Sequence, residues 1–137
     1  MRKKQTSKLN SNTSSIYLKK SNIPNSGRGV FAGKNFGIGE IIEVAPILIL
    51  EFSDFTYTKW NLLFEYYFWM DDYVSLALGF GSLYNHSKNA NAKYKLDRKK
   101  ETITFTASKD IKKDQEILFN YKGKANPKTP LWFERKK

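Results

Sequence analysis

Short apolar segments separated by turn residues are the feature that most limits what this chain can fold into. In Thr102–Ala107 the apolar residues alternate with threonines, which is the period-two pattern of a half-buried strand. Ile41–Leu50 is rich in β-branched residues and indicates a second strand, in which Pro46 suggests a sheet edge or a bulge. Val30–Ala32 and Glu116–Tyr121 indicate further strands. The chain is therefore predicted to be mostly β.

One hairpin and one helix can be predicted from local patterns. Ala92–Leu96 and Thr102–Ala107 flank the charged stretch Asp97–Glu101, which suits a turn between two paired strands. Thr58–Trp69 is the best helix candidate, because Thr58 can cap it and its apolar residues recur at helical spacing. The predicted fold class is mostly β with short strands and one or two short helices.

The composition excludes several classes of site. The chain has 137 residues, which suits one compact domain, and it has no cysteine. Disulfides, cysteine–zinc clusters and thiol catalysis are therefore excluded, and with His86 as the only histidine no metal site is predicted. No apolar run approaches the ~20 residues that a membrane span needs. The amino-terminal residues lack the apolar region of a secretory signal, so we expect an intracellular protein with no membrane partner.

The positive charge is concentrated at the two ends of the chain. The formal net charge is +11, with +6 in residues 1–20 and +5 in residues 122–137, whereas residues 21–121 are balanced. Residues 1–15 are predicted to form a flexible basic tail, and residues 122–137 a carboxyl-terminal flanking segment. Such tails can contact nucleic acid through counterion release. A solvated extension without a binding role explains the composition equally well.

Three motifs carry polar or catalytic side chains. Gly27–Gly29 reads Gly-Arg-Gly; alone it would usually be a turn, and no third glycine or helix follows as in a dinucleotide-binding loop. Alone, Asn85 would be a turn residue and His86 a hydrogen-bonded core histidine. Tyr121 closes the last predicted strand and alone would be a packed aromatic residue. Their order and spacing carry more information than any one of them.

Ser26–Ala32 (SGRGVFA), Ala77–Ser87 (ALGFGSLYNHS) and Glu116–Tyr121 (EILFNY) follow one another at specific intervals. This series resembles the SET-domain protein methyltransferases, especially small stand-alone forms such as the viral histone H3 methyltransferase. The resemblance covers residues 16–121, which would form the SET domain. It implies the SET fold, in which the carboxyl-terminal strand threads past the Asn-His segment in a knot-like arrangement.

The resemblance also implies a cofactor, S-adenosyl-L-methionine. The glycine-flanked turn would hold its methionine portion, and glycine suits that role because a missing Cβ lets backbone approach a ligand closely. The residues that match the family's cofactor-binding positions are Gly27, Arg28, Gly29, Asn85, His86, Tyr121 and Trp132. The chain departs from the family pattern with Asp114 in place of a turn glycine and with Gly123 displaced by one position, so the placement of Trp132 is less well defined.

Three tyrosines are the predicted catalytic residues. Tyr121 matches the family's catalytic tyrosine, and Tyr66 and Tyr94 match positions lining the channel for the substrate lysine. A free lysine has a pKa near ~10.4, and an apolar channel beside a sulfonium cation would lower it. With its own pKa near ~10, Tyr121 is expected to orient and stabilise rather than to accept a proton.

The resemblance implies transfer of a methyl group to a protein lysine, with a histone tail as first choice and a nuclear or chromatin location in that case. Residues 40–72 contain seven acidic residues and one lysine, which suits either a basic peptide site or a solvated face. A non-histone substrate such as a ribosomal protein, and a SET-fold binding module without catalysis, are the alternatives. A small nucleic-acid-binding protein would explain the tails but not the balanced core. A homodimer is a further arrangement that the resemblance leaves open.

Overall fold

The computed structural model describes residues 15–55 and 62–121, which fold into short strands. The strands are β1 (Ile16–Lys20), β2 (Arg28–Ala32), β3 (Ile41–Leu50), β4 (Tyr67–Trp69), β5 (Val74–Ala77), β6 (Asn85–His86), β7 (Ala92–Asp97), β8 (Thr102–Ala107) and β9 (Glu116–Phe119). Two 3₁₀ helices, Phe52–Phe55 and Leu62–Glu65, are the helical elements of these residues. The predicted fold class is confirmed.

The strands form one hydrogen-bonded path in the order β1-β2-β9-β7-β8-β3-β5-β4, and β6 joins it at β9. Neighbours are antiparallel except that β9 runs parallel to β6 and β7. Asn85 pairs with Leu118 and His86 with Phe119. The last described strand is thereby held directly against the Asn-His segment. The knot-like threading itself stays a prediction.

The core is built from alternating residues of the central strands. Ile103, Phe105 and Ala107 of β8 are buried while the threonines between them are partly exposed, as the alternation predicted. Phe105 stacks on Tyr84 with ring centroids 4.3 Å apart and contacts Phe119 at 5.4 Å. Fully burying a side chain of this size stabilises a fold by about 1.5–3 kcal/mol. This aromatic group supports the segment that carries Asn85 and the strand that leads to Tyr121.

The predicted hairpin is confirmed, because β7 and β8 pair from Ala92–Ala107 to Asp97–Thr102. The interpretation of Pro46 as an edge or bulge residue is wrong. The register shift of β3 lies between Ile41 and Glu43. Pro46 instead lies where β3 changes its partner from β8 to β5, a place where a missing N–H interrupts neither ladder.

The predicted helix Thr58–Trp69 is also wrong over its described part. Leu62–Glu65 forms a single 3₁₀ turn and Tyr67–Trp69 forms β4, whereas Thr58 lies outside the described residues. Aromatic side chains on alternating faces explain the strand. Phe68 packs against Phe119 with centroids 5.9 Å apart, whereas its neighbours on either side contact the ring of Phe55. In that arrangement side chains return to the same face every two residues, as in a strand, rather than every 3.6 residues, as in a helix.

The described residues form neither a membrane-spanning helix nor a cluster of metal ligands. None of their helices is long and apolar enough to cross a membrane. In the same part of the chain no group of three or more His, Asp or Glu side chains is arranged to hold a metal ion. Both predicted tails, apart from Ser15, lie outside the described residues, as does Trp132.

Candidate functional site

A cleft of about 640 Å³ brings together the motifs that the sequence separates by up to 94 positions. Its volume lies within the range of about 300–1,000 Å³ that is usual for small-molecule sites. The described residues that line it are Ile23, Asn25, Ser26, Gly27, Arg28, Glu65, Tyr66, Ser82, Leu83, Tyr84, Asn85, His86 and Tyr121. Five of the predicted cofactor-binding positions and two of the three predicted catalytic tyrosines are among them.

The glycine-flanked turn needs each of its glycines for a different reason. Gly27 has a φ of +62°, a left-handed conformation that costs other residues energy, and a Cβ there would face open space. Gly29 has no such φ, but a Cβ on it would lie 2.1 Å from Oε1 of Glu116 and 2.9 Å from Nδ2 of Asn85. Gly27 therefore shapes the turn, whereas Gly29 lets two polar side chains approach the backbone.

Asn85 is fixed by two acceptors. Its Nδ2 donates to the carbonyl oxygen of Arg28 at 3.0 Å and to Oε1 of Glu116 at 3.1 Å. The side chain thus links β6 to the middle of the glycine-flanked turn, 57 positions away in the sequence. An amide nitrogen carries two hydrogens, and both have acceptors here.

Glu116 was not among the predicted site residues, although it begins the motif Glu116–Tyr121. It is buried, and its carboxylate accepts from the Ser21 hydroxyl at 2.6 Å and from the Asn22 backbone N–H at 3.2 Å, besides Asn85. The available signal was a lone carboxylate at the start of an otherwise apolar strand. Buried carboxylates require donors of this kind.

The resemblance implies that Asn85 lies close to Tyr121; both line the cleft, and the residue that contacts Tyr121 directly is the neighbouring His86. Nδ1 of His86 accepts from the backbone N–H of Tyr121 at 3.0 Å, and the two rings lie 5.0 Å apart. Because Nδ1 is the acceptor, a neutral His86 carries its proton on Nε2. This bond fixes the point at which the chain leaves β9 and turns Tyr121 toward the cleft.

The Tyr121 hydroxyl donates to the carbonyl oxygen of Tyr84 at 2.8 Å. Burial, with smaller contributions from Tyr66 and Glu116, raises the pKa of Tyr121 to about 12. The phenol therefore keeps its proton throughout the neutral range. Its oxygen can accept a further hydrogen bond or stabilise a nearby positive charge, but it is a poor general base.

Tyr66 and Tyr94 occupy different places. Tyr66 lines the cleft and is 37% exposed. Among the described residues Tyr94 lies outside the cleft lining, behind Tyr121, to whose carbonyl oxygen its hydroxyl donates at 3.3 Å. Its ring packs edge-on against Phe68 and Phe119 at 5.1 and 5.2 Å, and burial followed by the nearby Tyr73 raises its pKa to about 12.

Most carboxylates of the acidic stretch are committed elsewhere. Glu40 pairs with Lys34, and this ion pair is the main reason that the pKa of Glu40 is lowered. Glu43 points inward to the Tyr84 hydroxyl at 2.9 Å, and burial raises its pKa despite that bond. Glu65 lines the cleft. Residues 40–72 therefore contribute one carboxylate to the cleft rather than a continuous acidic face.

The SET-domain family matches residues 27–122. A histone-lysine N-methyltransferase of Schizosaccharomyces pombe, specific for histone H3 lysine-37, is 32% identical over 110 residues, which are 79% of this chain and 71% of the relative. The chain belongs to the SET-domain family. As an S-adenosylmethionine-dependent protein-lysine methyltransferase, it fulfils the expectation drawn from its motifs.

Solved structures agree with this family. The crystal structure of a candidate histone methyltransferase of Plasmodium falciparum superposes with a TM-score of 0.66 at 31% identity, covering 79% of this chain and 93% of that one. The polycomb repressive complex 2 of Chaetomium thermophilum gives a TM-score of 0.67 at 24% identity, covering 84% of this chain and 16% of that one. At that identity the likeness shows the fold alone.

The cleft of this SET domain fits its cofactor. S-adenosylmethionine combines a zwitterionic amino acid with a sulfonium and an adenosine, so its site needs acceptors for cationic groups and donors for a carboxylate. The wall supplies an acceptor through Asn85, and donors through Arg28 and through the turn at Gly27, beside which there is open space. The described residues thus meet the chemical requirements of this group.

Proposed function

We propose that this enzyme methylates a lysine in a histone tail. The observation that carries the proposal is the convergence of Asn85, His86 and Tyr121 on one cleft, in a chain whose 32% identical relative bears the name of a histone H3 methyltransferase. A histone substrate would place the enzyme in the nucleus or on chromatin. We further propose residues 16–121 as the catalytic domain.

We propose that the cofactor lies against the turn Gly27–Gly29 and the Asn85-His86 segment, with Trp132 completing the site. When bound, the cofactor supplies a methyl group on a sulfonium, which is already an activated leaving group. The enzyme's task is then to align the reacting groups and exclude water. The hydrogen bonds of Asn85 and His86 support that role, because they hold both side chains in fixed positions before any ligand arrives.

We propose that Tyr66 and Tyr121 receive the substrate lysine and that Tyr94 assists them indirectly from behind Tyr121. A lysine amine must be neutral to attack, and an aromatic, partly desolvated environment lowers its pKa. Because the pKa of Tyr121 is about 12, this tyrosine does not remove the proton at neutral pH. Its hydroxyl, held by the carbonyl of Tyr84, instead orients the amine and stabilises the developing charge. Tyr94 acts by supporting Tyr121 from behind.

Glu65 is the carboxylate that favours a basic peptide at this cleft. It lies beside Tyr66 in the lining, where the predicted lysine channel would open. A carboxylate at the mouth of such a channel attracts the lysines and arginines that flank a target residue in a histone tail. Replacing Glu65 by Gln should raise the KM for a basic peptide more than the KM for the cofactor.

Incubation with isotopically labelled S-adenosylmethionine tests the substrate. Core histones, assembled nucleosomes and total ribosomal proteins would be offered in parallel, and the modified lysine mapped by mass spectrometry. Preferential labelling of one histone lysine supports the proposal. Preferential labelling of a ribosomal protein would replace the substrate but keep the enzyme class. Cofactor binding without transfer to any of these proteins would favour a binding module.

The basic amino-terminal tail is proposed to contact nucleic acid. Deleting residues 1–15 should leave methylation of a free peptide unchanged and lower methylation of nucleosomes, since residues 1–15 carry basic side chains and no acidic one. Phosphate contacts weaken steeply as salt increases. Equal activity of full-length and truncated enzyme on nucleosomes at low salt would show that the tail is a solvated extension.

Light scattering of the full chain would test for a homodimer.

A further inference from the structure

We infer that Glu116 is the positioning residue that sets cofactor affinity by holding the amide of Asn85 in one orientation. The inference rests on the proposed location of the cofactor against Asn85. Glu116 is 6% exposed and is absent from the cleft lining among the described residues. It therefore acts on a ligand only through the groups that it holds.

The amide of Asn85 is held in one orientation by its hydrogen-bond acceptors. Nδ2 has two acceptors, the carbonyl oxygen of Arg28 at 3.0 Å and the carboxylate of Glu116 at 3.1 Å. An asparagine side chain can be turned by 180° with little change in shape, so its hydrogen-bond partners decide its orientation. Because both acceptors face Nδ2, the orientation rotated by 180°, which would place Oδ1 against them, is excluded. Oδ1 is then the atom that Asn85 presents to the cleft, as an acceptor for a donor group of the cofactor.

Glu116 also binds the segment that forms the other wall of the cleft. The same carboxylate accepts from the Ser21 hydroxyl at 2.6 Å and from the Asn22 N–H at 3.2 Å, while Oγ of Ser21 accepts from the N–H of Ile23 at 3.0 Å. Ile23 lines the cleft. One buried carboxylate thus ties the segment that leads to the glycine-flanked turn to the Asn-His segment.

Position 116 requires a carboxylate because every group that faces it is a donor. An ionised carboxylate only accepts hydrogen bonds, and Glu116 is the acceptor in each of the three bonds that its carboxylate makes here. Glutamine has the same shape but carries a donor on one terminal atom. In Glu116→Gln, at least one of the facing donors meets another donor. If the amide of Asn85 turns to relieve this conflict, Oδ1 no longer faces the cleft.

The test measures binding by calorimetry with S-adenosylhomocysteine and S-adenosylmethionine. Glu116→Gln should weaken both ligands by about 10- to 100-fold, the effect expected of one lost hydrogen bond to a charged group. The KM for the cofactor should rise in parallel, while kcat at saturating cofactor stays within about two-fold of wild type, since uniform binding is lost rather than transition-state stabilisation. Glu40→Gln is the matched control. Glu40→Gln makes the same change at a carboxylate that pairs with Lys34, and the affinity of this variant for both ligands should equal that of wild type.

A double-mutant cycle separates positioning from general support of the fold. Asn85→Ala removes the group that Glu116 is proposed to hold, so adding Glu116→Gln to it should weaken binding no further. Equal losses in both backgrounds would show that Glu116 acts through other contacts, and an unchanged affinity in Glu116→Gln would overturn the inference outright. If Asn85→Ala alone binds like wild type, the proposed cofactor location is wrong instead. Should Glu116→Gln fail to fold by circular dichroism, Glu116→Asp, which keeps the charge but withdraws it from Asn85, takes its place in the same cycle.

Discussion

Replacing Gly29 by alanine is expected to destabilise the cofactor-free enzyme severely. The new Cβ would lie 2.1 Å from Oε1 of Glu116, and ordinary contact begins at 3.4 Å. A terminal oxygen on a free side chain would move aside at little cost. This oxygen is buried and accepts from Ser21 at 2.6 Å and from Asn85 at 3.1 Å, so it cannot retreat without breaking both bonds.

The magnitude follows from these contacts. Forcing extra volume into a packed site costs about 1–3 kcal/mol, and weakening hydrogen bonds to a buried charged group costs about 1.5–3 kcal/mol for each bond. Because the carboxylate can relax in part, we expect a total loss of about 3–5 kcal/mol. Against a typical stability of about 5–15 kcal/mol, this loss should lower Tm by roughly 10–20 °C.

Gly37→Ala is the matched control for this substitution. A Cβ at Gly37 meets nothing within 4 Å, and Gly37 has no positive φ. The change should therefore be neutral or stabilise the protein by up to about 1 kcal/mol, through the lower entropy of the unfolded chain. Urea denaturation followed by circular dichroism gives both free energies. Stabilities of Gly29→Ala and Gly37→Ala within about 1 kcal/mol of each other would refute the proposed constraint at Gly29.

Three further predictions concern the tyrosines. Tyr121→Phe should remove most turnover but keep cofactor affinity. Tyr17→Phe is the control, because it also removes one hydroxyl hydrogen bond but at the exposed Asp114, and it should keep both turnover and cofactor affinity. Methylation rates and calorimetry measure the two quantities. Tyr94→Phe should alter the ratio of mono-, di- and trimethylated product, because it removes the support behind Tyr121; an unaltered ratio by mass spectrometry would count against that role. Tyr94 and Tyr121 have pKa values of about 12 in the folded protein and near ~10 in the unfolded chain. Their contribution to stability is therefore complete below pH ~10 and is lost as the pH rises toward ~12. A free energy of unfolding that does not change between these two pH values would contradict the burial of both tyrosines.

Much of the fold could be predicted because several strands carry their pattern locally. The alternation in Thr102–Ala107 identified both the strand and its buried face, and the charged stretch before it identified the hairpin. Asp114 was expected to replace a turn glycine, and its φ of +71° bears this out. The family resemblance implied that Tyr121 lies near Asn85, whereas the direct bond between His86 and Tyr121, 35 positions apart, is specified by no local pattern.

The errors occurred where two periods fit the same residues. In Thr58–Trp69 eight of the twelve side chains are apolar or aromatic, so helical and strand spacing are both satisfied. Pairing of Tyr67 with Leu76 and packing of Phe68 on Tyr94 decide in favour of a strand, and both contacts depend on the tertiary fold. Glu116 was overlooked for a related reason. A sequence shows that a carboxylate is present but not that Ser21, 95 positions earlier, lies beside it.

The cleft is held together by bonds between distant parts of the chain. Ser21 and Glu116 are 95 positions apart, Arg28 and Asn85 are 57 apart, and Tyr84 and Tyr121 are 37 apart. Bringing such distant residues together costs loop-closure entropy, which only the complete fold offsets. The site therefore exists only in the native state, and a ligand that binds there stabilises the whole domain by mass action. Residues such as Gly29 and Glu116 consequently matter twice, because the contacts that shape the cleft are also contacts that close the fold.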